Sequence, residues 1–311
     1  MNRRRYRKNN YRKKRLKNII IISVSAIIVL FIIFLAVGLS LAEKTKDYEI
    51  EYDDVEYTDA NKKSTRKVAE INAYPLPLLE DGSSFSSRLS GIKENATAVS
   101  MALNRSDGTL LYRSDLASSF SYLTAPSDAQ NLSSCVKNIN DKDLYTTAML
   151  YVPTFEKTDD DLKADVELSI WGSIACEAIR AGVGDVLLIT NGANEEDIDK
   201  LCALADRIHI TEEKAIIGLT LTKDILDSEK SVSYIDELSK AFDYLAFDAT
   251  NIKGEGTLLE NTEAAIADMQ LQLMYYKMRV LLPRCANTEE LDSLANIVTK
   301  HSINSWQALT Q

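Results

Sequence analysis

From Val68 onward the chain alternates short apolar runs with helical patterns, and this alternation restricts its fold more than any other feature. The apolar runs are 68–74, 97–104, 144–152, 185–190, 215–221, 244–249, 279–283 and 303–309, with helical patterns near 83–94, 128–141, 160–181, 195–207, 232–243, 258–277 and 288–301. Regular strand–helix alternation predicts parallel strands joined by right-handed crossovers. Eight strands in roughly 240 residues is the count and size of an α/β (β/α)8 TIM-type barrel. An open sheet with fewer strands is the competing architecture.

Helix signals support this segmentation. Leu162, Val166, Ile170, Ile174 and Ala178 step by four along one face, and Gly182 follows as a stop. Thr158 with Asp161, Asn194 with Asp197 and Asn287 with Glu290 each place a capping residue three positions before an acid. Because Gln311 comes directly after the eighth run, the barrel is expected to lack its final helix. An apolar strand sector left uncovered is costly, so the stalk, a partner or a second copy is expected to shield it.

Ahead of the alternating region, Ile19–Ala42 is a 24-residue stretch without formal charge. At 1.5 Å per residue, a helix of that length crosses a hydrocarbon core of roughly 30 Å. Ten basic side chains and no acid lie in residues 1–17, while Glu43 and Asp47 follow the stretch. The positive-inside rule then makes 1–18 a cytoplasmic tail and places everything after about 43 outside. A cleaved signal peptide is the alternative, with Ser40-Leu41-Ala42 as a small-x-small site; the run exceeds the usual apolar region of about 7–15 residues, which favours an uncleaved anchor. Residues 43–67 read as an acidic stalk.

The 36 Lys and Arg stand against 46 Asp and Glu, a net charge of −10. Without the basic tail, 26 bases face 46 acids, a charge of −20. A body that acidic repels polyphosphate, so nucleic acid is not an expected partner. Two histidines, His209 and His301, have no second ligand at metal spacing, so no metal is expected. Ala181-Gly-Val-Gly-Asp185 precedes a strand instead of opening a helix, so it is no phosphate loop, and no cofactor is expected. Cys176 and Cys202 read as small core residues, and the pairing of Cys135 with Cys285 stays open.

Barrel sites lie at the carboxyl ends of the strands. Strand parity turns Ser100, Ala102, Asn104, Gly218, Thr220, Thr222, Ala246 and Asp248 inward. Asp248 is the only carboxylate this exercise brings to the mouth. Glycoside hydrolysis uses two, roughly 5–5.5 Å apart for retention and 6.5–9.5 Å for inversion. Asp107, after the second strand, and Glu156, after the third, are the candidate partners. Asp107-Gly108 equally reads as a hairpin turn, and Glu156 as a solvated loop residue. Candidate ligand-binding residues are Asn104, Arg105, Tyr151, Asn191, Asn251, Arg284 and Trp306. Arg284 suits bidentate binding of a carboxylate or phosphate, and Trp306 suits stacking on a sugar face.

Three segments carry a family resemblance: Ala98-Val-Ser-Met-Ala-Leu-Asn-Arg-Ser-Asp-Gly-Thr-Leu-Leu-Tyr-Arg-Ser114, Leu144-Tyr-Thr-Thr-Ala-Met-Leu-Tyr-Val-Pro-Thr-Phe155, and Ile174 through Ile189. With Phe242-Asp-Tyr-Leu-Ala-Phe-Asp248, they resemble the glycoside-hydrolase-like family of membrane-anchored (β/α)8 barrels from bacterial cell surfaces. The resemblance implies that fold and, for an intact member, acidic strand ends. Here Ala102, Asn104 and Arg105 occupy the second-strand motif, and Ile189-Thr-Asn-Gly-Ala193 replaces the acidic run after the fourth. The expected function is therefore a catalytically degenerate barrel at the cell membrane, binding cell-wall carbohydrate or an envelope protein. The alternatives are an active glycosidase using Asp248 with Asp107 or Glu156, and a scaffold subunit of a membrane complex.

Overall fold

The computed structural model describes residues 66–78, 82–94, 96–116, 124–127, 129–152, 161–190, 197–252 and 254–310, apart from the side chains of 161–168. The tail, the apolar stretch Ile19–Ala42 and the stalk up to residue 65 lie outside them. Among the described residues, no helix is long and apolar enough to cross a membrane.

Eight parallel strands close into a ring: β1 Asn72–Pro75, β2 Ala98–Ala102, β3 Tyr145–Val152, β4 Asp185–Thr190, β5 Ile217–Leu221, β6 Tyr244–Asp248, β7 Arg279–Leu282 and β8 Trp306–Ala308. Neighbours in sequence are neighbours in the ring, and β1 closes it against β8 through Asn72↔Trp306 and Ala73↔Gln307. The crossovers carry helices α1 Gly82–Ser90, α2 Leu132–Asn140, α3 Asp161–Arg180, α4 Ile198–Thr211, the short α5 Lys223–Leu226, α6 Ser231–Ala241, α7 Leu258–Tyr275 and α8 Thr288–Lys300. This is the TIM-type architecture; the open sheet is excluded by the β1–β8 pairing. The first strand starts four residues later than expected, at Asn72, although the Ile71 carbonyl already accepts from the Trp306 N–H at 2.8 Å.

Local chemistry fixes the helix ends. Asn131 and Asn287 accept from the backbone N–H of Ser134 and Glu290, at 3.1 and 2.9 Å. Thr257 and Glu260 form a reciprocal capping box at the start of α7. Gly182 ends α3 with φ +98°, a left-handed turn that glycine adopts without strain. On α3, Ile170, Ile174 and Ala178 are buried against the ring, as the step of four predicts.

The outward strand residues meet the helices in one continuous apolar layer: Val99 and Met101, Val186 and Leu188, Ile217 and Leu219, Leu245 and Phe247 are all buried. The inward residues are more polar toward the lower, amino-terminal end. There Arg279 donates from Nη2 to Asp185 Oδ2 at 2.8 Å and from Nη1 to Oδ1 at 3.2 Å. Thr147 and Tyr244 add hydroxyl bonds to Asp185 Oδ1 at 2.5 and 3.0 Å, and the guanidinium lies 3.9 Å from the centre of the Tyr244 ring. Burial works against the Arg279 charge, but the neighbouring Asp185 carboxylate raises its pKa above the ordinary value. The Tyr244 ring needs glycine opposite it, since a Cβ on Gly218 would sit 2.2 Å from its Cζ. Below this cluster opens a hollow of about 580 Å3 whose roof includes Tyr244 and Arg279.

The chain reaches the ring along the same lower end. Arg66 donates from Nε to Asp243 at 3.0 Å and from Nη1 to the Glu213 carbonyl at 2.6 Å. Asp243 also accepts from the Ile217 N–H and meets His209 Nε2 at 3.0 Å.

The eighth sector is not bare, contrary to expectation. Trp306 and Ala308 point outward yet are only 3% and 1% exposed. Tyr74 covers Trp306 edge-on at 5.3 Å between ring centres and anchors its hydroxyl on Asp292 of α8 at 3.0 Å. Lys93 binds the same carboxylate from the α1 side. A groove of about 390 Å3 lies beside them. Cys135 and Cys285 are both free thiols.

Candidate functional site

At the carboxyl ends of β1, β2, β3, β7 and β8 lies a hollow of about 560 Å3, a volume ordinary for a small-molecule site. The βα segments position its lining. Past the end of β2, the chain turns back on itself: the Arg105 N–H bonds the Thr109 carbonyl at 2.9 Å, and the Leu111 N–H bonds the Leu103 carbonyl at 2.8 Å. Asp107 Oδ1 accepts from the Thr109 N–H at 2.9 Å, and Gly108 takes φ +88°. Those bonds, with the Arg105 charge adding less, hold the Asp107 carboxyl below its ordinary range. The Asp-Gly pair is the tip of a hairpin, as one of its two readings has it.

Four of the candidate residues meet in this hollow: Asn104, Arg105, Tyr151 and Arg284, together with Ser106, Leu111, Pro77, Leu78 and Thr310. Asn104 is fully buried, and its amide is used by the scaffold. Nδ2 donates to the Tyr151 carbonyl and Oδ1 accepts from the Tyr151 N–H, both at 2.8 Å. The side chain thus continues the β2–β3 ladder one step past the backbone pairing and fixes Tyr151 at the rim. Ser106 and Thr310 belong to loops just past strand ends, where no periodicity marks them; only their position after a strand could have found them.

Asp248, the last residue of β6, is 5% exposed, and its Oδ1 accepts from the Thr250 N–H at 2.8 Å. Burial raises its pKa, with the Thr250 bonds opposing. Burial likewise raises the Tyr151 hydroxyl; the Asp248 charge adds to that rise and the Arg284 charge opposes it, so both lie within electrostatic reach of the phenol. Arg105 and Arg284 are exposed on the lining, one from the β2 side and one from the β7 side.

The remaining candidates are placed elsewhere. Asn251 is exposed in the loop beyond Asp248. Trp306 lies on the outer face of the ring against Tyr74, because Gln307 is the β8 residue that points inward, reaching Thr147 and Arg279. Stacking of Trp306 on a ligand in the mouth is therefore corrected to packing of the wall. Glu156 and Asn191 lie outside the described residues. Among the described residues, no group of three His, Cys, Asp or Glu side chains is placed to hold a metal ion.

No family model matches the chain, and no curated protein matches it significantly. Solved structures do. A chitinase from Bacteroides thetaiotaomicron superposes over 78% of this chain and 90% of its own, at 9% identity and a TM-score of 0.50. A GH18 chitinase from Pseudoalteromonas aurantia covers 78% of this chain and 94% of its own at 12% identity and a TM-score of 0.49. A sugar phosphate isomerase/epimerase from Parabacteroides distasonis covers 80% and 88% at 12% identity and a TM-score of 0.44. At 9% identity the likeness to the Bacteroides thetaiotaomicron chitinase is one of fold alone, and the TIM-type barrel hosts many unrelated chemistries.

Proposed function

We propose that this chain is a membrane-anchored barrel of glycoside-hydrolase type, exposed outside the cell, whose mouth binds carbohydrate without hydrolysing it. The observation that carries the reading is the make-up of the mouth. Asp248 is the one carboxylate at the carboxyl end of a described strand and does not line the hollow, whose polar lining is made of arginines, hydroxyls, an amide and a tyrosine. Such groups satisfy sugar hydroxyls and offer an apolar ring face. The charge-free Ile19–Ala42 stretch after a basic tail supports the anchor.

The test is calorimetric titration of the detergent-solubilised full chain with cell-wall oligosaccharides, alongside assays for released sugar. Binding without turnover is expected, weakened severalfold by Tyr151→Phe, which removes the hydroxyl and keeps the ring packed, at a nearly unchanged melting temperature. Turnover abolished by Asp248→Asn would overturn the reading.

One observation favours a second reading, an active glycosidase. The raised pKa of Asp248 suits a general acid, with Asp107 or Glu156 as its partner. A carboxyl separation well beyond about 10 Å for both pairs would exclude it.

A further inference from the structure

We propose that the ligand held in the mouth is an anionic saccharide, whose carboxylate or phosphate is gripped by Arg105 and Arg284; this rests on the carbohydrate-binding reading above. The argument begins with charge pairing. Some of the basic side chains are taken up by acids, and two of the others are set apart by lining one hollow. Arg180 pairs with Glu212, Lys223 with Asp268, Arg279 with Asp185 and Lys300 with Glu263. Neither Arg105 nor Arg284 forms an ion pair among the described residues, although both border one hollow. The acid nearest to Arg105 in sequence, Asp107, already accepts the Thr109 N–H.

The guanidinium is a planar fork matched to a carboxylate or phosphate, and two forks on one hollow select an anion over a neutral ring. The saccharide part of the proposal comes from what surrounds them. Ser106, Thr310 and the Tyr151 hydroxyl line the same space, suited to bonding sugar hydroxyls. Asn104 is spent on the backbone and takes no part. Of the nearby acids, Asp248 is buried and hydrogen-bonded to Thr250, and the exposed Asp107 carboxylate is met by the Arg105 charge.

The experiment titrates the solubilised full chain with four probes at low salt: a glucuronate-capped disaccharide, glucose 6-phosphate, the matching neutral disaccharide and inorganic phosphate. At least one anionic sugar is expected to bind tenfold or more tighter than the neutral one, and the tighter of the two names the source of the anion. That margin should shrink in about 0.5 M salt, where charges are screened over a few ångströms. Arg284→Gln and Arg105→Gln should each cost about tenfold for the anionic sugar and clearly less for the neutral one, so that the margin narrows, while Arg284→Lys retains part of it. Equal binding of anionic and neutral sugars overturns the inference and leaves carbohydrate binding standing. Inorganic phosphate binding as tightly as the sugar acids overturns the saccharide part. Failure of every sugar to bind overturns both the inference and the reading beneath it.

Discussion

Asp248 sets a pH dependence at the level of one side chain. Its folded carboxyl holds a proton to higher pH than the unfolded chain does, because burial penalises the charge more than the Thr250 bonds relieve it. Its contribution to stability is therefore fully present below the ordinary value of 3.8 and is lost as pH rises through the raised folded value. Asp248→Asn should accordingly melt higher than the parent at pH 7 and match it near pH 3, read as paired melting curves across that range. This residue was legible from strand parity, as were the inward Ser100, Ala102, Asn104, Gly218 and Thr220. The use made of Asn104 was not: parity says that a side chain points inward, not that its amide will stand in for backbone. Trp306 does not reach the mouth, although its ring suits stacking. Gln307, a polar residue in a three-residue buried strand, was the signal that the parity runs the other way.

For single elements, the clearest handle is the start of α7. Thr257 accepts from the Glu260 N–H, and Glu260 Oε2 accepts from the Thr257 N–H at 2.8 Å. Thr257→Ala should cost about 1 kcal/mol, measured as a shift of the urea midpoint at constant slope. The Thr-x-x-Glu spacing carries the same capping logic as Asn287 with Glu290 and was available in the sequence. At Asn287 the box is half formed, since Glu290 Oε2 takes the Ala286 N–H instead, at 2.6 Å. Strand centres were legible from apolar runs, but strand ends were not. Ile303–Ser305 and Ala215–Ile216 precede the paired strands, although the Ser305 and Ile216 carbonyls already accept from the Val280 and Val186 N–H groups. The four-residue α5 is too short to produce any helical period.

For the molecule as a whole, counting eight alternations was enough to foresee closure, because parallel strands of that number have few other ways to bury both faces. The Arg279–Asp185 pair is not legible in the sequence, because the two residues stand 94 positions apart and no spacing ties them together. Breaking it should be expensive: Arg279→Met strands a buried carboxylate and should cost about 3–5 kcal/mol. Adding Asp185→Leu should restore part of that loss, and a double-mutant cycle in urea measures the coupling.

That cluster also gives the ring a floor. The guanidinium and carboxylate, with Thr147, Tyr244 and Gln307 packed around them, separate the upper hollow from the lower one, and Arg279 and Asp185 are at most 2% exposed. The barrel is thus a cup and not a pipe: a guest must leave by the rim it entered, and no solute threads from one end to the other.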